Sequence, residues 1–585
     1  MKTKLIILFA LLVIFTGCEE MFSPADENKR GLDDIYEDAA FAEGLLLNGY
    51  VRLPNGGYSF NDVATDDAVS NNDDNSYLQM ATGKWSAMYN PTERWTSCFA
   101  AIQYLNIILA ETDKVNWAST GEYTKEMFND RTKGEAYGLR AIFYYYLLQA
   151  HGGFSSDGQL LGVPILTQPL DGNSDFTTPR NTFKECIDQI NKDLDLAESF
   201  LPLDFEDVSD TSSVKIPAKY AGKTSASDYN RVFGAYNRQR LTARIVKAVR
   251  AQVALLAASP AYSEGSSVTW EQAANAAGEV LDLIGGVSGV AKTGALWYAK
   301  SNSAEIAGLA NGVNPPEVLW RTNVGDGKDL EADNFPPSLY GSGRVNPTQN
   351  LVDAFPMANG LPITDPSSGY DANKPYANRD PRLNWYIVVN GSKVGSSTIF
   401  TKVGKTKDGL DNIETSTRTG YYMRKLLRED VNLNPTSTTQ QKHYVPRIRY
   451  TELFLDYAEA ANEAWGPDGS GSHGYSARDV IAAIRQRAGI TQPDAYLTSI
   501  SGKEAMRELI RNERRLELCF EGFRFWDLRR WKENLTETAN GMTITADDKF
   551  IVTPVEDRKY DDFMYYGPLP YNEILKWGLT QNAGW

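Results

Sequence analysis

RNERRLELCFEGFRFWDLRRW, from Arg511 to Trp531, is the stretch on which the reading of this chain turns. It continues a helix that opens near Ser501, with Lys503 and Glu504 in the first turn. Met506, Leu509, Ile510, Leu516, Phe520 and Phe523 fall on one side at i, i+3, i+4 spacing. Arg507, Arg511, Arg514 and Arg515 fall on the other. Glu513 breaks the pattern, because it sits inside the apolar stripe. A bare buried carboxylate is costly, so Glu513 is expected to be hydrogen-bonded or paired. Glu513, Glu517 and Glu521 also repeat at i, i+4, a row of like charges that needs cations nearby. Arg514, Arg524, Arg447 and Arg449 are available partners. A structural ion network at a helix junction is the expectation, with a catalytic carboxylate as the alternative.

Working outward, helical periodicity covers 449–465 and 476–488 and, upstream, 35–51, 91–111, 133–149, 181–200, 240–258 and 271–284. Alanine-rich runs let such helices approach closely, as in stacked helix pairs. In 449–465, Tyr450, Leu453, Phe454, Tyr457, Ala461 and Trp465 share one face. Glu452, Asp456, Glu459 and Glu463 crowd the other, which reads as a solvated or Arg-paired face, with cation binding as the alternative. From about 313 to 427 the periodicity fades, and Pro, Gly, Asn and aromatics rise. Val388-Val389-Asn390-Gly391 signals a hairpin there. Trp320, Tyr340, Tyr370 and Tyr376 lie in this loop-rich stretch, and long loops on a rigid scaffold are where binding usually sits. The fold class is therefore mostly α, with tetratricopeptide-like helix pairs as scaffold and a mixed region carrying a few short strands.

The 585 residues carry a formal charge of −16, which makes nucleic acid an improbable partner. Hydrophobic residues make up 42%, enough for a globular body. Twelve Trp and 31 Tyr suit ring-face recognition of sugars or peptides, though large helical cores also use aromatics. Cys18, Cys98, Cys186 and Cys519 form no CxxC pair, and His151, His443 and His473 are far apart, so no zinc site is expected. The last three cysteines read as buried free thiols. No motif calls for a cofactor: there is no GxSxG elbow, P-loop or zinc-protease helix.

MKTKLIILFALLVIFTG, residues 1–17, has the basic start and short apolar run of a signal peptide. Thr16 and Gly17 directly precede Cys18, as in a bacterial lipobox, which makes Cys18 the lipidation site and the new N-terminus. Acyl chains contribute about 0.8 kcal/mol per buried methylene, so the mature body needs no spanning helix. Residues 18–34 read as a lipidated tether. The body, 35–585, divides into a helical scaffold (35–312 and 447–533), a loop-rich ligand-side region (313–446) and a tail (534–585).

Within the polar stretch 61–85, ATDDAVSNNDDN places Asp66, Asp67, Asp73 and Asp74 together. The acids suggest a calcium loop, but the stretch lacks the EF-hand glycine and twelfth-position Glu, so no metal is expected. A solvated loop or a ligand rim remains, because Tyr77, Trp85 and Tyr89 interleave with the acids and amides. The candidate ligand residues are Asp67, Asn71, Asn72, Tyr77, Trp85 and Tyr89 from this stretch, and Trp320, Tyr340 and Arg344 from the later loops. Trp320, in PPEVLWRTN, reads equally well as a buried strand residue. Trp526 and Trp531 read as core.

Several segments, in order, resemble the SusD/RagB family of Bacteroidetes outer-membrane nutrient-binding lipoproteins. They are the lipobox followed by Glu19 and Glu20, WTSCFAAIQYLN, GEAYGLRAIFYYYLLQAHGG, ALLAASPAYS, FPMANGLPITDPSSGYDANKPYANRDPRL, TGYYMRKLL, YTELFLDYAEAANEA, the Arg511–Trp531 block and LTQNAGW. The resemblance implies a non-enzymatic cell-surface protein that captures oligosaccharide or polysaccharide and delivers it to a TonB-dependent SusC-like transporter. A peptide-binding member of the family is the alternative, and a lipid-anchored glycoside hydrolase a more distant one.

Overall fold

A computed structural model describes residues 32–54, 56–174, 177–210, 215–296, 309, 312–404 and 406–585. The signal segment, Cys18 and the tether up to residue 31 lie outside these described residues. Ten helices organise the scaffold: α1 (Ala39–Val51), α2 (Trp95–Glu111), α3 (Glu122–His151), α4 (Phe183–Phe200), α5 (Ala243–Ala258), α6 (Trp270–Asp282), α7 (Tyr450–Trp465), α8 (Ala477–Ala488), α9 (Lys503–Glu517) and α10 (Arg524–Trp531). From α1 to α7 each packs against the next, and α7 also packs against α8 and α9. The molecule is mostly helical, with short strands in small ladders. None of the described helices is long and apolar enough to cross a membrane.

Local sequence explains the helix ends. Thr182, Thr269 and Ser476 begin α4, α6 and α8 with reciprocal capping boxes, which satisfy otherwise orphaned amides. α3 starts well before the expected 133: Thr124 and Met127 of the added turns are buried, and Asp130 pairs with Lys219 at 2.7 Å and Arg131 with Glu43 at 3.2 Å. Close approach depends on glycine. A Cβ at Gly138 of α3 would lie 2.1 Å from Leu241 Cδ2. Deeper in, Arg140 of α3 grips Asp193 of α4 through two bonds of 2.8 and 2.7 Å and Asn106 of α2 at 2.8 Å, tying three helices together.

The 501–531 segment is two helices, not one. α9 stops at Glu517, and a corner containing Phe520 (φ 64°) and Gly522 (φ 84°) turns the chain into α10. Phe520 leaves the helical scaffold and is fully buried in a second core with Leu516, Cys519, Leu383 and Tyr422. That core is formed mainly by the loop-rich region. On α7 the structure decides between the two readings of the acidic face, and it is the Arg-paired one: Arg514 reaches Asp456 at 2.6 Å, Arg530 reaches Glu459 at 2.5 Å and Arg507 reaches Glu463 at 2.7 Å. This face is not a solvated surface, because Glu452, Asp456 and Glu459 are all buried against neighbouring elements. Cys98, Cys186 and Cys519 are buried free thiols.

Three ladders position the loops. β1 (Ala68–Ser70) pairs with β3 (Val345–Pro347), β2 (Val318–Arg321) with β4 (Pro446–Arg449), and β5 (Ala539–Ile544) with β6 (Phe550–Glu556), all antiparallel. The Val388–Gly391 signal marks a turn, but not the hairpin itself. Val388 pairs with Tyr422, while the hairpin forms one turn later, where Lys393–Val394 faces Ser397–Thr398. Residues 61–70 are buried throughout, so the first half of the expected polar loop is interior.

Candidate functional site

The Glu513, Glu517 and Glu521 row is the anchor of the whole arrangement. Glu513 accepts from Arg382 at 2.9 Å and from Arg485 at 2.8 Å. Glu517 accepts from Arg382 at 2.9 Å and Arg487 at 2.8 Å. Glu521 accepts from Arg449 at 2.7 Å and Lys425 at 2.7 Å. Burial disfavours charge on Glu517, yet Arg487, Arg382 and Arg449 bring its carboxyl down to about 2. The pairing expected for Glu513 is present, though its partners come from segments distant in sequence.

The same block fixes the start of the first loop. Arg515 reaches Asp66 at 2.8 Å and Asp67 at 2.7 Å, and Arg524 reaches Asp66 at 2.9 Å. Despite burial, Arg515 and Arg524 hold the Asp66 carboxyl well below its ordinary range. Asp67 is therefore an interior ion-pair partner, with its carboxylate turned away from solvent. These pairs form one wall of an open polar groove of about 510 Å³, which Gln349, Asn350, Asp353 and Asn512 also line.

The tryptophans of the candidate set are interior as well. Trp85 is 5% exposed. Its Nε1 donates to Asn90 at 2.9 Å, and the Arg529 guanidinium lies 4.9 Å from its ring centre. Phe525, Tyr560 and Trp585 surround it edge-on. Trp320, in β2, donates to the Gln239 carbonyl at 3.0 Å beneath Arg447, 5.3 Å from its ring centre. Neither ring presents a face to solvent. Tyr77 is half-buried, and burial raises its hydroxyl pKa. Trp531 is core, whereas Trp526 is half-buried beside an inner cavity.

The remaining candidates come together. The β1–β3 ladder sets Ser70 opposite Val345, which brings the two loops into register just beyond it. Asn71 Nδ2 donates to the Ser342 carbonyl at 2.9 Å and the Ser416 carbonyl at 3.2 Å. Arg344 Nη1 donates to Asn71 Oδ1 at 3.4 Å. Tyr340 beside them is 53% exposed, held at φ 65°, with Lys407 Nζ 5.2 Å from its ring centre. The strip continues through half-buried Asn72 to Asp73, whose carbonyl accepts from Gln79 at 2.9 Å. Gln79 in turn accepts from the Tyr89 hydroxyl at 2.9 Å. Next to Tyr89, Met88 is 81% exposed.

This corner offers an aromatic ring, a guanidinium, an ammonium and amides on a surface held by a rigid ladder. Such groups stack on apolar ligand faces and hydrogen-bond hydroxyls. Lys407, Gln79 and Met88 were not apparent from sequence. Lys407 reaches Tyr340 only through tertiary folding, and Gln79 and Met88 follow no motif. Among the described residues, no group of three or more His, Cys, Asp or Glu is placed to hold a metal ion.

The fold is a helical scaffold carrying a loop-borne surface of aromatic, amide and cationic side chains. A family model described as "SusD family" matches residues 316–585, and another described as "Starch-binding associating with outer membrane" matches residues 49–226. A SusD-like protein of Formosa agariphila is 26% identical over 255 residues, 39% of this chain and 42% of that protein, so the match spans less than half of the relative's length. A SusD-like protein of Bacteroides fragilis has the same fold, with 25% identity, TM-score 0.70 and coverage of 96% of this chain and 100% of that one. A SusD-like carbohydrate binding protein from the same species superposes with TM-score 0.66 at 20% identity, covering 92% and 98%. A laminarin binding SusD-like protein superposes with TM-score 0.57 at 19% identity, covering 94% and 100%. The chain belongs to the SusD/RagB family.

Proposed function

We propose that this chain is a lipid-anchored outer-membrane protein of the cell surface. It binds an oligosaccharide or polysaccharide without turning it over and passes it to a SusC-like TonB-dependent transporter. Family membership supports this reading, as do fold relatives described as binding carbohydrate and laminarin. The observation that carries it is the meeting of Asn71, Arg344 and half-exposed Tyr340 at the end of the β1–β3 ladder. Exposed rings and amides fixed on a scaffold are suited to sugar CH faces and hydroxyls, and little ordering is needed on binding. Cys18 supplies the anchor.

The test is a panel of polysaccharides, oligosaccharides and peptides, titrated by calorimetry against the full chain in detergent, with Arg344→Gln alongside. Glycan binding weakened about tenfold in the variant is expected. Glycan binding that Arg344→Gln leaves unchanged would remove the ligand from this corner. Binding of peptides alone would replace the glycan reading, and release of shortened sugars would replace the non-catalytic one.

A further inference from the structure

Between α3, α5, α7 and the α9–α10 corner lies a cavity of about 150 Å³, apart from the loop face. One ordered water needs only about 10–15 Å³ of such space, so the cavity has room for a small organic molecule. Two carboxylates one turn apart on α7 point into it. Glu452 uses one oxygen to accept from Gln252 at 2.6 Å, and its other oxygen has no hydrogen bond among the described residues. Asp456 Oδ1 accepts from Arg514 at 2.6 Å, while its Oδ2 is buried without a partner. Leaving a buried carboxylate oxygen unsatisfied costs about 1–3 kcal/mol, so something complementary is expected there.

The cavity is also polarised. The Tyr145 hydroxyl lies in the field of Glu452 and Asp456. The Tyr146 hydroxyl lies in the field of Arg94 and Arg447, with Glu452 also within reach, so cation and acid are close enough for one small molecule to meet both. Arg94, half-buried at that end, forms no ion pair among the described residues. Phe523 and Trp526 complete the wall between the ends. Arg449, Arg514 and Arg530 also line the space, but Glu521, Asp527 and Glu459 already engage them.

We propose that this cavity binds a small zwitterion, an α-amino acid, with its ammonium on Glu452 and Asp456 and its carboxylate toward Arg94. The aromatic walls favour the ammonium through their ring faces and cover the side chain. A simple amine would leave Arg94 unanswered, and a neutral sugar would leave both ends so. Burial raises the pKa of both acids, which is the shift a neighbouring ammonium would reverse.

The experiment is calorimetry on the full chain in detergent. The probes are glycine and L-leucine, the amines methylamine and isopentylamine, the acids acetate and 4-methylpentanoate, and glucose. Glycine or L-leucine is expected to bind with a Kd of about 1 mM or tighter, at least about tenfold better than its own amine and acid. Glu452→Gln and Arg94→Gln should each cost about tenfold or more. Arg94→Gln leaves no charged partner stranded, so it keeps the test open if Glu452→Gln folds poorly. The proposal is overturned if neither amino acid binds in this range, if an amine or glucose binds equally well, or if Arg94→Gln leaves the affinity unchanged.

Discussion

Arg382 and Glu513 form an ion pair at 2.9 Å in which neither side chain has any solvent exposure. Arg382 comes from the NRDPRL segment and Glu513 from the middle of α9, so one pair joins the loop-rich core to the helical scaffold. Arg382 also serves Asp380 at 2.6 Å and Glu517 at 2.9 Å. Removing it leaves Asp380 without a guanidinium partner and leaves Glu513 and Glu517 with one guanidinium each, from Arg485 and Arg487. Breaking a buried pair from one side typically costs about 3–5 kcal/mol, so Arg382→Met should lower stability by at least that amount. Urea unfolding measures it, and a loss below about 1 kcal/mol would show that Arg485, Arg487 and water suffice for the carboxylates Arg382 leaves.

Gly138 is a packing requirement. Its α-helical backbone would accept alanine, yet the added methyl would sit 2.1 Å from Leu241, with Ala197 and Val246 also close at 3.4 Å. Overpacking of this kind costs about 1–3 kcal/mol, against a small gain in helix propensity. Gly138→Ala should therefore lower the thermal midpoint. Pairing it with Leu241→Ala should recover part of the loss of Gly138→Ala relative to Leu241→Ala alone, and strict additivity would show that the two sites do not clash.

His151 gives the acid response a defined component. Its Nε2 accepts from the Arg94 backbone amide at 3.2 Å, so Nδ1 carries the proton and donates to the Pro568 carbonyl at 2.8 Å. Burial lowers its pKa to about 4, from an ordinary 6.5. The unfolded chain then protonates first on acidification. This stabilisation, roughly 3 kcal/mol, is complete above pH 6.5 and is lost as pH falls through 4. Asp62 works in the opposite sense. Burial and the charge of Asp67 raise it to about 7, so its contribution is full below 3.8 and is lost as pH rises through 7. His151→Gln should thus flatten the fall in stability between pH 6.5 and 4, and Asp62→Asn should steepen it. Variants whose slopes match the parent would show that neither group titrates with folding.

Much of the scaffold was legible because helical periodicity is a local signal, and so was the pairing of Glu513, a carboxylate inside an apolar stripe. Of the partners, Arg449 was legible and pairs with Glu521, whereas Arg382, Arg485 and Arg487 approach from elsewhere in the chain without a sequence signal. The corner at Phe520 was missed for a related reason. Its apolar side chain continued the helical stripe, while tertiary packing drew it into the second core. Asp66 and Asp67 read as loop residues because acids cluster in loops, and only Arg515 and Arg524, more than 440 residues downstream, make them interior. Asn71, Tyr340 and Arg344 stand out in the sequence by side-chain chemistry alone, and the β1–β3 ladder that joins them has no sequence signature of its own.

The contrast between two aromatic residues separates the proposed recognition role from architecture. Trp85 is enclosed by Phe525, Tyr560 and Trp585 with Arg529 beside its ring. Replacing a core tryptophan with alanine costs about 3–5 kcal/mol, so Trp85→Ala should unfold at markedly lower denaturant. Any loss of ligand affinity should follow that loss of fold. Tyr340 is half-exposed and sits at positive φ, where its side chain adds little to the core. Tyr340→Ala should change stability by less than about 0.5 kcal/mol, as surface substitutions usually do. In the proposed glycan complex, however, the loss of one stacking ring should weaken binding at least several-fold. Measuring unfolding and glycan affinity on both variants assigns each role. A Tyr340→Ala protein that binds as the parent does would take the ring out of the recognition face and leave Asn71 and Arg344 to carry it.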